Sequence, residues 1–170
     1  MCHSIRNAIA LVIAALLFSS CAAPTSRVVD ADSQVVFVCE HGNVKSLMAA
    51  SYFNRLANQR GLPYSAISRG IAPDSTTVPP SISAGLKGEG FDVSDFHPAG
   101  VTRPDVEMSK LVVLINTALP EDSVSKQAPI ERWTDVPAAS VDYAAASASL
   151  KTHVEELIDR LERSGPAKLR

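Results

Sequence analysis

The chain has 170 residues, with 16 Lys and Arg against 18 Asp and Glu, for a formal net charge of −2. That length suits one domain with a real core once a targeting segment is set aside, and the balanced charge gives no electrostatic case for nucleic acid or for a polybasic membrane contact. No internal repeat or low-complexity tract is present, which removes solenoid and fibrous architectures.

Residues 1–20 read as a signal peptide of the lipoprotein type. Arg6 precedes an apolar run from Ala8 to Phe18, which ends in Ser19-Ser20-Cys21-Ala22-Ala23. A basic start, a short apolar core and small residues at a cut site make a secretory signal. The run falls short of the roughly 20 residues that span a bilayer. Small residues before Cys21 resemble a bacterial lipobox, with Cys21 as the lipidated first residue; ordinary cleavage after Ala23 is the alternative. The expectation is an exported protein of the periplasm or cell envelope that touches the membrane only through its lipid anchor. Residues 21–33 form a polar tether, and residues 34–165 the domain. Cys2 leaves with the signal and Cys21 is modified or lost, so Cys39 is the one thiol of the domain and no disulfide framework exists.

Val35-Val36-Phe37-Val38 is an unbroken apolar run, as in a strand buried on both faces of a parallel sheet. A helical stripe follows, with Val44, Leu47, Met48, Tyr52, Phe53 and Leu56, and Gly61 and Pro63 close it. Tyr64 to Ser68 reads as a second strand, Asp74 to Pro80 as a loop, and Ser81 to Lys87 as a short helix. Arg103 to Met108 suits a brief helix with Pro104 in its first turn. Leu111 to Ile115 and Ile130 to Trp133 supply the third and fourth strands. Leu150, Val154, Leu157, Ile158 and Leu161 place one apolar face on a long last helix. Strands alternating with helices imply an α/β domain with a parallel sheet, whose ligands bind beyond the carboxyl ends of the strands.

Cys39 stands at such an end, in Cys39-Glu40-His41-Gly42-Asn43-Val44-Lys45-Ser46. A helix that starts just after a tight loop presents unpaired amides and the positive end of its dipole, which together hold a tetrahedral anion. The same field favours the thiolate of Cys39 and so makes it nucleophilic. Lys45 adds a full charge. Ser46 can donate its hydroxyl to the sulfur, cap the helix, or do both.

Cysteine, five residues, a base and Ser, set between a first strand and a helix, resemble the phosphate loop of the low-molecular-weight tyrosine phosphatases and the related thiol-dependent arsenate reductases. The likeness runs from Gln34 to about Arg163. It takes in the Ser68-Arg69-Gly70 strand end, the apolar third strand, an acidic residue after Trp133 and the long last helix. It implies a three-layer α/β fold, with a four-stranded parallel sheet and helices on both faces. It also implies phosphomonoester hydrolysis through a phosphocysteine on Cys39. Phosphate or a related oxyanion would be held by Glu40, His41, Gly42, Asn43, Val44, Lys45 and Ser46, and a phosphotyrosine protein is the partner that such a site would serve. No cofactor is implied, and no zinc or calcium motif is present: His97 and His153 lack partners at ligand spacing.

Three residues depart from the pattern. The signature Arg is Lys45, a point charge in place of a planar fork, and Arg69 could supply the missing guanidinium if the end of the second strand faces the loop. The family's Gly-Asn pair is displaced by one, so Gly42 falls where a left-handed residue is needed, which glycine tolerates, while His41 stands in place of glycine as a cationic neighbour of Cys39. The family's Asp-Pro becomes Asp135-Val136-Pro137, with Asp135 as the candidate proton donor and Asp142 as the fallback. The alternative function is an exported phosphate- or arsenate-binding or arsenate reductase-like protein with weak or no turnover. Leu111 to Asp122 carries no cysteine for an internal thiol relay, so reduction would need an external thiol.

Overall fold

The computed structural model describes residues 33–121 and 128–164. The expected signal peptide, Cys21, the tether up to residue 32 and the domain's last residue, 165, lie outside them. Eight elements follow in order: β1 (Gln34–Cys39), α1 (Lys45–Gln59), β2 (Ser65–Gly70), α2 (Pro80–Gly88), α3 (Arg103–Glu107), β3 (Leu111–Ile115), β4 (Ile130–Trp133) and α4 (Tyr143–Ser164). No helix among the described residues is long and apolar enough to cross a membrane.

The strands form one parallel sheet in the order β2-β1-β3-β4. The unbroken apolar runs take the two central places because only there are both faces of a strand covered. Strand alternation then divides the core. Val35, Phe37 and Cys39 face α1 and α4, and Phe37 packs between Phe53 and Trp133 with centroids 5.8 and 5.4 Å away. Val36 and Val38 face the other way, onto Val106 of α3 and Ala128. Leu150, Val154, Leu157, Ile158 and Leu161 of α4 are all buried, as their spacing requires.

The second strand is longer than its apolar pattern suggested. It pairs with the full length of β1, from Gln34 against Ser65 to Cys39 against Gly70, so Arg69 and Gly70 belong to it. α1 ends as expected: Arg60 is the cap residue, Gly61 takes φ +64°, and the Leu62 amide donates back to the Ala57 carbonyl at 2.9 Å. α3 starts on a reciprocal cap between Thr102 and Asp105. The sheet order reverses between β1 and β3, which opens a crevice at their carboxyl ends, where Cys39 and Asn116 lie.

Candidate active site

A cavity of about 450 Å³ occupies that crevice. Cys39, Glu40, His41, Asn43, Val44 and Lys45 come to it from the loop, and Asp74, Asn116 and Ala138 are among the residues opposite. Cys39 is only 5% exposed, but it borders the cavity and faces the start of α1. Its Sγ lies 2.9 Å from Ser46 Oγ, which in turn lies 2.8 Å from Ser68 Oγ. Ser68 Oγ is also 2.9 Å from the Gly42 carbonyl, and its single proton serves one of the two acceptors at a time. When Ser68 donates to Ser46, the Ser46 proton is left for the sulfur. Of the two roles open to Ser46, bonding the sulfur is the one realised: α1 has Val44 at its N-cap and no side-chain cap.

The loop is shaped by two glycines. Gly42 takes φ +78°, the left-handed conformation its position demands. A Cβ on Gly42 would lie 2.7 Å from the Gly70 nitrogen, and one on Gly70 would lie 2.7 Å from the His41 carbonyl carbon. The two backbones therefore touch. Outside helices and strands, no backbone acceptor among the described residues takes the amide protons of Glu40, His41, Gly42, Asn43 or Val44. Asn43 ties the loop outward, its Nδ2 donating to Thr77 O at 2.8 Å. Its Oδ1 is buried with no partner among the described residues, a cost of about 1–3 kcal/mol of the kind found at functional sites.

Lys45 replaces the planar fork with a held ammonium. Its Nζ donates to Asn116 Oδ1 at 2.7 Å and to the Val136 carbonyl at 3.2 Å. Both acceptors are neutral, so the charge is not cancelled and the third N–H remains for an anion. Burial lowers the Lys45 pKa, and the nearby Cys39 opposes the shift. Asn116 lines the cavity and holds Lys45, and sequence reading passed it over. It sits just past β3 with φ +51°, and its Nδ2 holds the Thr134 carbonyl at 2.8 Å. Its signal was available: a lone amide directly after an apolar central strand, at the end where ligands bind.

Other expected residues lie elsewhere. Arg69 does not reach the anion loop. Its Nε and Nη2 donate to the two carboxylate oxygens of Asp105 at 3.0 and 3.1 Å, on the α3 side of the sheet. Side chains alternate along a strand, so placing Ser68 toward Ser46 necessarily sends Arg69 to the opposite face. Asp135 is not among the residues that line the cavity. It accepts a hydrogen bond from His153 Nε2 at 2.8 Å, and that bond holds its carboxyl below the ordinary range. His153 also stacks on Trp133 with centroids 4.8 Å apart. Asp142 caps α4, accepting from the Ala145 amide at 2.9 Å. His97 lies against the Thr76 carbonyl.

The family model described as low molecular weight phosphotyrosine protein phosphatase matches residues 34–156. The chain belongs to that family. Solved structures with the same fold include a low molecular weight protein tyrosine phosphatase from T. tengcongensis. It is 22% identical at a TM-score of 0.64, with 76% of this chain and 99% of that one covered. The thioredoxin-dependent arsenate reductase of Corynebacterium glutamicum is 18% identical at a TM-score of 0.64, covering 78% of this chain; the present chain spans 63% of that protein's length. An arsenate reductase in its phosphate-binding state is 21% identical at a TM-score of 0.62, with coverages of 75% and 98%. No curated protein sequence is significantly similar to the chain.

Proposed function

We propose that the protein hydrolyses phosphomonoesters through a phosphocysteine formed on Cys39. The observation that carries this reading is that Cys39, Lys45 and the loop residues Glu40, His41, Asn43 and Val44 line one cavity at the start of α1. The Cys39 thiolate attacks phosphorus and the bond to the departing oxygen breaks. The amides of residues 40–46 and Lys45 hold the equatorial oxygens throughout, since phosphoryl transfer depends mainly on positioning and charge. Water then cleaves the sulfur–phosphorus bond, releasing inorganic phosphate and the thiolate. A phosphotyrosine protein is the substrate class that the family's name suggests. Asp135 remains the donor drawn from sequence, but it would have to leave His153 to reach the cavity, so protonation of the departing oxygen falls more readily to a group that lines it.

A second reading is oxyanion binding, or arsenate reductase-like chemistry, with weak turnover. Lys45 favours it, because an ammonium follows the flattening phosphoryl group less closely than a guanidinium fork does. Cys39 is the one cysteine among the described residues, so an external thiol would have to resolve any arsenylated form.

Steady-state hydrolysis of an aryl phosphate, with inorganic phosphate as inhibitor, separates the two. Lys45→Ala should weaken phosphate inhibition about tenfold to a hundredfold, the loss of one charge-assisted hydrogen bond. Lys45→Arg should raise turnover. Tight phosphate binding without hydrolysis in the wild type and in Lys45→Arg would select the binding protein.

We also propose that the domain is exported and anchored through a lipid on Cys21, the reading that residues 1–33 support. Cys21→Ala should then move the protein from the membrane to the soluble fraction of the envelope, and an unchanged distribution would refute the anchor.

A further inference from the structure

We propose that His41, oriented by Asp74, is the proton donor and acceptor of this site. The proposal rests on phosphomonoester hydrolysis at Cys39 and names the group that completes it. His41 and Asp74 line the same cavity as Cys39 and Lys45. His41 Nδ1 lies 3.2 Å from Asp74 Oδ1, which leaves Nε2 as the free ring nitrogen. A carboxylate beside one imidazole nitrogen leaves the other nitrogen to give and take protons. The ring stands on rigid backbone, because the His41 carbonyl packs against Gly70 so closely that a single methyl there would collide with it. The ring is also 47% exposed, open to a substrate entering from solvent.

The other titratable groups on this cavity already have partners. Glu40 Oε2 accepts from Thr117 at 3.2 Å, Lys45 is held by Asn116 and Val136, and Cys39 is bonded to Ser46. Asp135, the donor expected from sequence, is engaged by His153 and is not among the residues that line the cavity.

The steps balance as follows. As the Cys39 sulfur bonds to phosphorus and the phosphorus–oxygen bond breaks, His41 Nε2–H passes its proton to the departing oxygen. Neutral His41 then takes a proton from the incoming water as that oxygen bonds to phosphorus and the sulfur–phosphorus bond breaks. Inorganic phosphate, the Cys39 thiolate and protonated His41 result, with no other reactant. His41 is the catalytic residue and Asp74 its positioning residue.

Leaving-group dependence tests this. The wild type, His41→Asn, His41→Gln, Asp74→Asn and Asp135→Asn are compared on phenyl phosphate, whose leaving group needs a proton, and on 2,4-dinitrophenyl phosphate, whose leaving group does not. Both His41 variants should lose about a hundredfold or more in kcat/KM on the first substrate and less than about tenfold on the second. They should also lose the alkaline limb of the pH–rate profile. Asp74→Asn should lower kcat/KM on phenyl phosphate more than on 2,4-dinitrophenyl phosphate, because the ring loses the group that orients it. Equal losses on both substrates in both His41 variants, or a leaving-group-selective loss in Asp135→Asn instead, would overturn the assignment while leaving hydrolysis at Cys39 intact. Absence of wild-type turnover on both substrates would overturn the hydrolase reading and the assignment together.

Discussion

Replacing Cys39 with Ser should remove hydrolysis of aryl phosphates, by at least about a thousandfold, while the domain still folds and still binds phosphate. The nucleophile is lost because a serine hydroxyl here has Ser46 Oγ as its hydrogen-bond partner, in a chain of hydroxyls that runs to Ser68. Such a chain stabilises an anion but does not remove a proton from an alcohol. The fold should be indifferent to the change. Serine is slightly smaller than cysteine and retains the contact with Ser46, so little of the packing of Cys39 against the core is lost. Anion affinity should survive because the amides and Lys45 supply it. Release of the aryl alcohol, thermal unfolding and phosphate titration check the three parts separately. Residual hydrolysis near the wild-type rate would move the nucleophile elsewhere.

The largest structural effect should come from one methyl group. Gly70→Ala places a Cβ 2.7 Å from the His41 carbonyl carbon and 2.8 Å from the Gly42 nitrogen, and both neighbours are backbone. No rotamer relieves that contact, so the loop must move away from β2. Overpacking of this kind costs about 1–3 kcal/mol. Here the shift falls on the loop that lines the cavity, so phosphate affinity should drop with stability, by tenfold or more. A urea midpoint lowered at unchanged slope, together with weakened phosphate inhibition, is the expected result. A variant with normal stability and normal affinity would mean that the loop is not braced against β2. Gly61→Ala is a useful contrast. That glycine has left-handed φ but nothing within 4 Å of its Cβ position, so it should cost only the backbone strain, about 1 kcal/mol, and leave the site alone.

Much of the fold is written locally. Val35 to Val38 and Leu111 to Ile115 hold no polar side chain, and only the two central strands of a parallel sheet accept such runs. Cys39 follows the first of them directly, so its place at a strand's carboxyl end was legible, and Gly42 marked the left-handed turn of the loop. The α4 stripe was equally plain. What escaped depends on distant partners. Lys45 meets Asn116 across 71 positions of sequence, and His153 meets Asp135 across 18. No local pattern records either pairing.

Arg69 is a different kind of miss. Its direction follows from strand alternation once Ser68 is known to face the loop, but the strand's extent was fixed only by its pairing with β1. Asp105 then completed an ion pair that the sequence alone gives no reason to expect. Burial raises the Asp105 pKa, while hydrogen bonds from Arg69 and Thr102 lower it by more, so the carboxylate form is held at neutral pH. The guanidinium is thereby committed to the fold and not to an anion. Lys45 is left as the principal cation of the cavity wall, with His41 beside it when protonated.

The field at Cys39 is measured most directly by alkylation of the native protein with iodoacetate and iodoacetamide, reagents of similar size that differ in charge. Loop amides and a lysine converging on the thiolate should make the anionic reagent the faster of the two, against its usual order with free thiols, and inorganic phosphate should suppress the reaction. Iodoacetamide reacting faster, with neither rate changed by phosphate, would contradict an oxyanion pocket at Cys39.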